Sequence, residues 1–345
     1  MLRISQSYRM QIFSGLGLII ILLLLISFSR IFFVNNFKGS EEGIKIRINQ
    51  CDNLEEVISA LNEAGILENT LTFKIAVKLS NKDESILPGK YIFKKPLNNS
   101  QIIQILTDPT FVQMINFRIP EGITIKKLSN MVESKLGISS KEFIIACSDT
   151  TLINELGLRG KVKTLEGFLF PDTYRISLNI SSRDLIKLLV DNFKNKLNTS
   201  LETRPILNEP EKLLDIVTMA SIIEAETYIK DEMPTIAGVY YNRIKKHMRL
   251  EADPTVQYSL PDGPKSRLLY EDLKIDSPYN TYRNFGLPPG PINSPGMDAI
   301  IAAVNPQKHD FLFFVTSGDG GHTFSENYEK HLEAVKQYRK KINQN

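Results

Sequence analysis

The amino-acid sequence predicts an α+β protein with an N-terminal transmembrane helix, a small α+β subdomain and a larger mixed α+β domain with a central helix that bears two glutamates. Three observations lead to this prediction. Residues 10–29 are uncharged and rich in Leu and Ile. Strand-like and helix-like patterns of apolar residues are interspersed from residue 44 onward. The chain has 345 residues, which is enough for two domains with separate cores.

The charge and cysteine content exclude several classes of protein. The chain has 42 basic and 39 acidic residues, interspersed along its length, for a net charge of +3. No basic surface for nucleic acid is therefore expected. Cys51 and Cys147 are far apart and form neither a disulfide framework nor a CxxC motif. Two free thiols are expected, and a single bridge between them is the alternative.

The uncharged segment 10–29 has the length of a transmembrane helix, since about 20 residues at 1.5 Å each cross a bilayer core of about 30 Å. Arg3 and Arg9 precede it, and the end of the segment offers only a poor cleavage site. Residues 1–35 are therefore interpreted as a cytoplasmic tip and an uncleaved signal-anchor in the cytoplasmic membrane, with the rest of the chain outside. Arg30 and Lys38 oppose this orientation under the positive-inside rule. A cleaved signal peptide is the alternative.

The next segment is predicted to form a linker and a compact α+β subdomain. Residues 36–43 are polar and are interpreted as the linker, and residues 44–110 as the subdomain. Its predicted elements are a strand at 44–48, a helix capped by Asn53 and closed by Gly65, a helix with Phe73, Ala76 and Val77, a strand at 91–93 after Pro88-Gly89, and a helix capped by Ser100.

Residues 111–345 are predicted to form one mixed α+β domain. Its expected elements are a strand at 111–119, a helix from Thr124 to Gly137, a short helix at 143–147, an aromatic-rich irregular stretch at 165–174, helices at 182–197, from 213 and at 233–246, a Pro- and Gly-rich loop region at 253–296, a helix at 298–304, a strand at 311–316 and a final helix from Ser325. A loop region of that length is usually functional or disordered, and its tyrosines and asparagines argue against disorder.

The helix that begins near Leu213 contains the sequence MASIIEAET at 219–227. An apolar stripe through Leu213, Ala220, Ile223 and Thr227 follows the helical period. Glu224 and Glu226 are two residues apart, about 200° around the helix, so they flank opposite edges of this stripe and cannot face each other as a pair. One is expected in a cleft and the other in a salt bridge or solvent. The alternative is two partly exposed glutamates without chemistry.

Other kinds of site have little support in the sequence. The GDGG sequence at 318–321 lacks the residues of a phosphate loop and is predicted to be a hairpin turn. The four histidines form no HExxH motif and have no partner at zinc spacing, so neither a metal nor a cofactor is expected. Ser221 lies inside a helix and has no GxSxG sequence around it, which argues against a serine nucleophile.

The remaining candidate for catalysis is a carboxylate. A glutamate at the edge of an apolar helix has a raised pKa, which suits a general acid. Cleavage of a glycosidic bond needs such an acid, usually together with a second carboxylate. Glu224 cannot supply it on helical geometry, whereas Asp253, Glu251 and Glu166 all remain possible.

Eight short sequences resemble the MltG/YceG-like family of endolytic murein transglycosylases, in order and over nearly the whole chain. They are FPDTY (170–174), ASIIEAET (220–227), NRI (242–244), MRL with DPTV (248–250 and 253–256), YNTY (279–282), GLPPG (286–290) and GGHTF (320–324). The resemblance implies that Glu226 is the catalytic acid and that residues 111–345 are the catalytic domain. It also implies that residues 44–110 are LysM-like. Ala225 stands where the family commonly has Lys.

The resemblance further implies a membrane-bound lyase that cleaves between MurNAc and GlcNAc of nascent peptidoglycan, leaves 1,6-anhydroMurNAc ends and terminates strand elongation. Cell-wall synthases are plausible partners. Six residues are expected at the substrate: Glu224, Asp253, Thr255, Tyr279, Asn280 and Tyr282. Glu224 is expected to orient a loop through hydrogen bonds or an ion pair, for example with Arg243 or Arg249. The alternatives are a muramidase that uses Glu226 with Asp253, and a non-catalytic membrane tether that binds glycan.

Overall fold

The computed structural model describes residues 6–48, 52–111, 114–158, 162–178, 180–261 and 263–342. Contacts between Cα atoms divide the chain into two compact units. The small unit contains residues 1–115 and 175–179, and the large unit contains residues 116–174 and 180–345. Cys51 lies outside the described residues, whereas Cys147 is a buried free thiol whose pKa is raised by burial.

The first helix, α1, runs from Gln6 to Phe33. Within the described residues it is the one helix long and apolar enough to cross a membrane, and the side chains from Leu16 onward are almost all exposed. Its last turn is different, because Phe32 is 8% exposed and belongs to the core of the small unit.

The small unit combines α1 with two short antiparallel strand pairs and three helices. Its elements are β1 (Asn35–Phe37), β2 (Ile44–Ile48), α2 (Leu54–Glu63), α3 (Thr70–Leu79), β3 (Gly89–Phe93), β4 (Leu97–Asn98) and α4 (Asn99–Thr107). Strand β1 pairs with β4, and β2 pairs with β3. The core between helices and strands includes Leu61, Phe73, Phe93 and Leu106.

Two expectations for this unit need correction. The segment 36–43 is not wholly a linker, because Asn36 and Phe37 are buried in β1. The last helix is capped by Asn98 rather than Ser100: the Asn98 side chain accepts from the Gln101 N–H, and the Gln101 side chain accepts from the Asn98 N–H. This reciprocal pair satisfies two backbone donors at the helix start, which a cap two residues later could not do.

The large unit is mainly helical. The chain passes between the units within the paired strands β5 (Met114–Arg118) and β6 (Thr173–Ser177). The helices, in chain order, are α5 (Ile125–Leu136), α6 (Ser140–Ala146), α7 (Thr150–Glu155), α8 (Ser182–Thr199), α9 (Pro210–Glu226), α10 (Met233–Lys245), α11 (Asp253–Ser259), α12 (Met297–Val304) and α13 (Tyr328–Ile342). Strands β7 (Phe313–Thr316) and β8 (His322–Ser325) form an antiparallel hairpin.

Most of the predicted elements of the large unit are confirmed. Thr124 caps α5, Gly137 ends it in the left-handed conformation, and residues 318–321 form the predicted turn between β7 and β8. The sequence reading missed α7, β6 and α11. The final helix begins at Tyr328 rather than Ser325, because Ser325 belongs to β8. Of the strand predicted at 111–119, residues 114–118 are β5, and residues 112–113 lie outside the described residues.

Helix α9 is surrounded by protein. It packs against α10, α11 and α12, and its residues from Ile216 to Glu224 are all buried. The expectation of one apolar stripe is therefore wrong, because residues 216–224 of this helix are enclosed on every side rather than lying on a surface. The helix ends at Glu226, and Thr227 continues in an extended conformation.

Candidate active site

Two cavities of the large unit meet at the C-terminal end of α9. The large cavity, of about 470 Å³, is lined by residues that include Glu121, Lys127, Glu224, Tyr258 and Asn293. The small cavity, of about 200 Å³, is lined by residues that include Tyr240, Arg243, Glu251, Tyr282 and Phe314. Glu226 and Asp253 line both cavities. A carboxyl group at this junction can contact groups on either side of a bound chain.

Glu226 receives a hydrogen bond from α10. The Tyr240 hydroxyl donates to Glu226 Oε1 over 2.5 Å. Burial raises the pKa of Glu226 to about 7, and the negative charge of Asp253 acts in the same direction; the Tyr240 hydrogen bond and the charge of Arg243 oppose the rise. The C-terminal end of a helix also disfavours a negative charge. Near neutral pH this carboxyl group is therefore present in both protonation states.

Asp253 is the carboxylate that shares both cavities with Glu226. It lies in the first turn of α11, where the partial positive charge of a helix start stabilises a carboxylate. The Tyr282 hydroxyl donates to Asp253 Oδ1 over 2.6 Å. Burial and the bond to Asp253 raise the pKa of Tyr282, so that its hydroxyl remains a donor.

Arg243 lines the small cavity and is held by several hydrogen bonds. It is 8% exposed, and its Nε donates to the Leu312 carbonyl over 2.7 Å. Its Nη1 donates to the Leu250 carbonyl over 2.9 Å and to Glu251 over 3.1 Å. The guanidinium also lies over the Phe313 ring. Arg243 therefore joins α10 to the loop before α11 and to the β7–β8 hairpin.

Glu224 fixes the loop before α12. It is 6% exposed, and its Oε2 accepts from the Gly296 N–H over 2.9 Å. Burial raises its pKa to about 7, opposed by this hydrogen bond and assisted by the charges of Glu121 and Asp298. The expectation that Glu224 orients a loop fits this contact, but Arg243 and Arg249, named as its partners, are wrong: Arg243 bonds elsewhere and the observed partner is a backbone N–H.

The same loop is held by α9 and by the turn before α5. The Ile292 N–H donates to Ser221 Oγ over 3.0 Å, and Asn293 Nδ2 donates to the Ser221 carbonyl over 2.8 Å. Ser294 and Ile123 form an isolated antiparallel bridge. A Cβ at Gly296 would lie 2.2 Å from Glu121 Oε1, so the exposed Glu121 side chain packs directly on Gly296 and would have to move for any larger residue.

Residues 46–337 match the family model of the YceG-like family. The chain belongs to the YceG-like family. A protein of Bacillus subtilis named endolytic murein transglycosylase is 32% identical to it over 316 residues, covering 87% of this chain and 86% of the relative. A protein of the same name from Streptococcus pneumoniae strain R6 is 28% identical over 328 residues, covering 87% of this chain and 59% of that longer relative.

A solved structure that is similar to this chain is also a YceG-like protein. The 2.6 Å crystal structure of a YceG-like protein from Listeria monocytogenes is 29% identical in sequence, with a TM-score of 0.58, over 85% of this chain and 99% of that one. This YceG-like chain therefore has the mixed α+β architecture of its family.

The YceG-like chain brings four of the seven expected site residues to the cavities. Glu224 lines the large cavity, Tyr282 the small one, and Glu226 and Asp253 both. Thr255 and Asn280 have no exposed surface. The Thr255 hydroxyl is 2.8 Å from that of Thr281, and Asn280 Nδ2 donates to the Leu273 and Ile275 carbonyls. These two side chains hold the loop instead of facing a cavity.

Tyr279 and Glu166 lie behind the wall of the large cavity. The Tyr279 ring packs on that of Tyr258, with 4.9 Å between centroids. Glu166 is buried, and its carboxylate accepts from the Ile125 N–H over 3.0 Å and from the Tyr258 hydroxyl over 3.4 Å. Burial raises the pKa of Glu166 to about 7. Glu166 thus caps the start of α5. Of the other two candidate carboxylates, Glu251 lines only the small cavity, whereas Asp253 lines both cavities with Glu226.

Sequence reasoning missed Tyr240, and it named Arg243 only as a possible partner of Glu224 and not as a residue that shares a cavity with Glu226. Tyr240 and Arg243 lie three residues apart on α10, on one helical face, and a buried arginine beside a buried tyrosine is an unusual pair. That spacing was the available signal. In the described ranges, no three His, Cys, Asp or Glu side chains converge as metal ligands would.

Proposed function

We propose that this chain is an endolytic peptidoglycan lytic transglycosylase, a lyase that cleaves the MurNAc–GlcNAc bond and leaves 1,6-anhydroMurNAc ends. The observation that supports it best is the position of Glu226, which has a pKa of about 7 and lines both cavities. The names of the relatives from Bacillus subtilis and Streptococcus pneumoniae support the substrate and the reaction class.

The first step is proton donation. The Tyr240 hydroxyl donates its hydrogen bond to Glu226 Oε1, so the proton of the neutral acid lies on Oε2. Protonated Glu226 gives this proton to the glycosidic oxygen, and the bond from that oxygen to C1 of MurNAc breaks. The leaving GlcNAc departs with its hydroxyl restored.

The second step returns the proton. The 6-hydroxyl oxygen of the same MurNAc forms a bond to C1, and its proton passes to the Glu226 carboxylate, so the enzyme regains its starting state and no water is consumed. A pKa near the working pH suits a group that acts first as acid and then as base. The attack is intramolecular, which replaces an external nucleophile by proximity.

The other site residues have proposed supporting roles. Asp253 and Tyr282 contact sugar or peptide groups at the junction, a role supported by their lining of the small cavity. Glu224 positions the 292–296 loop on the side of the large cavity. Thr255, Asn280 and Tyr279 act indirectly, by fixing the loop that carries Tyr282.

We also propose the placement of this reaction in the cell. The chain is a single-pass protein of the cytoplasmic membrane, anchored by α1 with its N-terminus inside. Residues 44–110 are a LysM-like glycan-binding subdomain, and residues 111–345 are the catalytic domain. There the enzyme ends the elongation of nascent strands beside the cell-wall synthases. Fusions of alkaline phosphatase and of GFP at the C-terminus test the topology: an active phosphatase with dark GFP supports it, and cytoplasmic fluorescence contradicts it.

A muramidase is the second candidate, favoured by Asp253. This carboxylate adjoins Glu226, and two carboxylates are what most glycosidases use. In that reaction water attacks C1, and its oxygen appears in the product.

Digestion in ¹⁸O-labelled water separates the candidates. Full-length protein in detergent is incubated with uncrosslinked glycan strands, and the products are analysed by mass spectrometry. Anhydro ends without ¹⁸O are expected, at internal positions of the strands. Reducing MurNAc ends that carry ¹⁸O would establish the muramidase instead. If the protein is folded and binds glycan but cleaves nothing, the alternative of a non-catalytic membrane tether is supported. Glu226→Gln is the control for a contaminating activity.

A further inference from the structure

The anchor helix is joined to the small unit without a flexible linker. Asn99 Nδ2 donates to the Ile31 carbonyl in the last turn of α1 over 2.8 Å. Asn36 Nδ2 donates to Asn99 Oδ1 over 2.7 Å, and the Asn69 N–H donates to Asn36 Oδ1 over 2.6 Å. These asparagines tie the end of α1 to β1, to α4 and to the start of α3, so α1 and the small unit form one body.

Helix α3 runs back along α1 from this joint. Its N-cap, Asn69, bonds to Asn36 just beyond the end of α1. Its last residue, Leu79, lines an apolar groove of about 420 Å³ together with α1 residues between Ile21 and Ile31. The ten residue steps from Ile21 to Ile31 correspond to about 15 Å along the helix axis. The C-terminal end of α3 therefore lies beside the apolar part of α1.

The outer face of α3 carries an apolar stripe beside the exposed Lys78, which is unusual for a helix that already has an inner apolar face. Phe73, Ala76 and Val77 are buried in the core of the small unit. Leu71 and Leu79, eight residues apart, are 65% and 62% exposed, and the partly buried Ile75 lies between them. Spacings of four residues place these three side chains on one face. A water-exposed helix does not normally carry this second stripe.

We propose that this stripe of α3 (Leu71, Ile75 and Leu79) lies in the outer interface of the lipid bilayer, so that α3 fixes the small unit on the membrane surface. The inference rests on the membrane anchoring proposed above. The uncharged segment 10–29 matches the bilayer core in length, and the groove shared with Leu79 extends along its second half. Leu79 thus enters the outer leaflet beside α1, and lipid acyl chains occupy the groove.

The charges around the stripe fit this placement. Arg30 follows the uncharged segment on α1, Lys82 lies just after α3, and Lys78 on α3 is ion-paired with Asp83 over 2.6 Å; all three basic side chains are exposed. Long basic side chains at this level extend their charged ends toward the phosphates while their stems remain among apolar groups.

The absence of tryptophan from the chain makes the test direct, because each introduced tryptophan is a unique fluorophore. Full-length Leu79→Trp, Leu71→Trp, Leu22→Trp and Asn62→Trp proteins are reconstituted in vesicles with lipids brominated either near the glycerol end or near the methyl end of the acyl chains. Leu79→Trp should lose most of its fluorescence with the shallow bromines, and Leu71→Trp should lose less. Asn62→Trp, an exposed position on α2, is the control and should remain bright.

Leu22→Trp separates this inference from the anchoring that it assumes. If the deep bromines quench Leu22→Trp while Leu79→Trp stays unquenched, the anchor is supported and only the placement of α3 is overturned. An unquenched Leu22→Trp overturns the anchor and the placement together. Equal quenching of Leu79→Trp and Asn62→Trp also contradicts the proposal, because the contact would not be specific to α3. Circular dichroism establishes that each variant is folded. If Leu79→Trp does not fold, Leu71→Trp takes its place as the reporter on α3.

Discussion

Tyr240 on α10 donates a hydrogen bond of 2.5 Å to Glu226 at the end of α9. The bond joins two helices at the point where the two cavities meet. It stabilises the ionised form of Glu226, whereas burial stabilises the neutral form, and the pKa of about 7 is the balance of these effects. Tyr240 is therefore a residue that sets the protonation state of the proposed acid.

Tyr240→Phe should move the pH profile of cleavage. Without the hydroxyl the pKa of Glu226 rises further, by about 1–2 units, because a hydrogen bond to a charged group is worth about 1.5–3 kcal/mol. Activity falls as the acid loses its proton, so the alkaline limb of kcat/KM should shift to higher pH. Tyr241→Phe is the matched control, since that hydroxyl donates to the Ala303 carbonyl. An unchanged profile in Tyr240→Phe would contradict this role.

Glu166→Gln should reduce the pH dependence of stability. The folded pKa of about 7 lies above the ordinary value of 4.5. Between these values Glu166 is ionised in the unfolded chain but keeps its proton in the folded protein. The free-energy cost of ionising the buried carboxyl group is therefore absent below pH 4.5 and complete above about pH 7. The free energy of unfolding of the parent protein therefore falls as pH rises through this window. A shift of this size corresponds to about 3 kcal/mol at most.

Chemical denaturation at several pH values across this window measures the effect. The amide oxygen of glutamine can still accept from the Ile125 N–H, so the fold should be retained. Glu202→Gln, at an exposed position, is the control and should leave the slope unchanged. Equal slopes in the parent and in Glu166→Gln would show that Glu166 is not the source of the dependence.

Arg243→Lys should destabilise the large unit although the charge is kept. Lysine cannot donate from one planar group to the carbonyls of Leu312 and Leu250 and to Glu251 at once. A buried carbonyl left without its donor costs about 1–3 kcal/mol. Arg283→Lys is the matched control, because that side chain is about half exposed, and its change should be within about 0.5 kcal/mol. Urea unfolding midpoints measure the stability of both variants. An equal decrease in Arg243→Lys and Arg283→Lys would contradict the prediction.

Local signals in the sequence were sufficient for most elements. Asn53 and Thr124 cap their helices through contacts two or three residues away, and the turn at 318–321 needs only its own residues. The apolar run from Leu213 was likewise enough to predict a helix that carries Glu226, although the single apolar stripe expected on it was wrong. Such features are decided within one or two turns of the chain, which is the range that a pattern can read.

The contacts that organise the site join residues far apart in the sequence and were not predictable. Glu166 caps α5 from 41 residues away, and Glu224 bonds to Gly296 from 72 residues away. Polar residues of the Pro- and Gly-rich region illustrate the same limit. Asn280 and Tyr282 are two residues apart, yet one is buried and bonded to carbonyls while the other lines a cavity. Only the tertiary fold distinguishes a loop-fixing side chain from one that faces the cavity.

The division of labour between Glu224 and Glu226 is open to a direct test. Glu226→Gln keeps the shape of the side chain and an acceptor for Tyr240, but it cannot transfer a proton. Its melting temperature should be close to that of the parent, while release of anhydro-muropeptides should fall by at least the 10²–10⁴-fold that general acid catalysis supplies. Glu224→Gln should retain much more activity, because the glutamine oxygen can still accept from the Gly296 N–H.

Glu224→Leu completes the comparison. It leaves the Gly296 N–H without its acceptor, at a cost of about 1–3 kcal/mol, and it should release the 292–296 loop that lies along the large cavity. Stability should therefore fall in Glu224→Leu and not in Glu226→Gln, whereas chemistry should fall most in Glu226→Gln. Melting temperature and product release are measured on the same preparations of all three variants. An active Glu226→Gln enzyme beside a well-folded but inactive Glu224→Gln enzyme would transfer the acid role to Glu224, since both carboxyls line the large cavity and both have a pKa near 7.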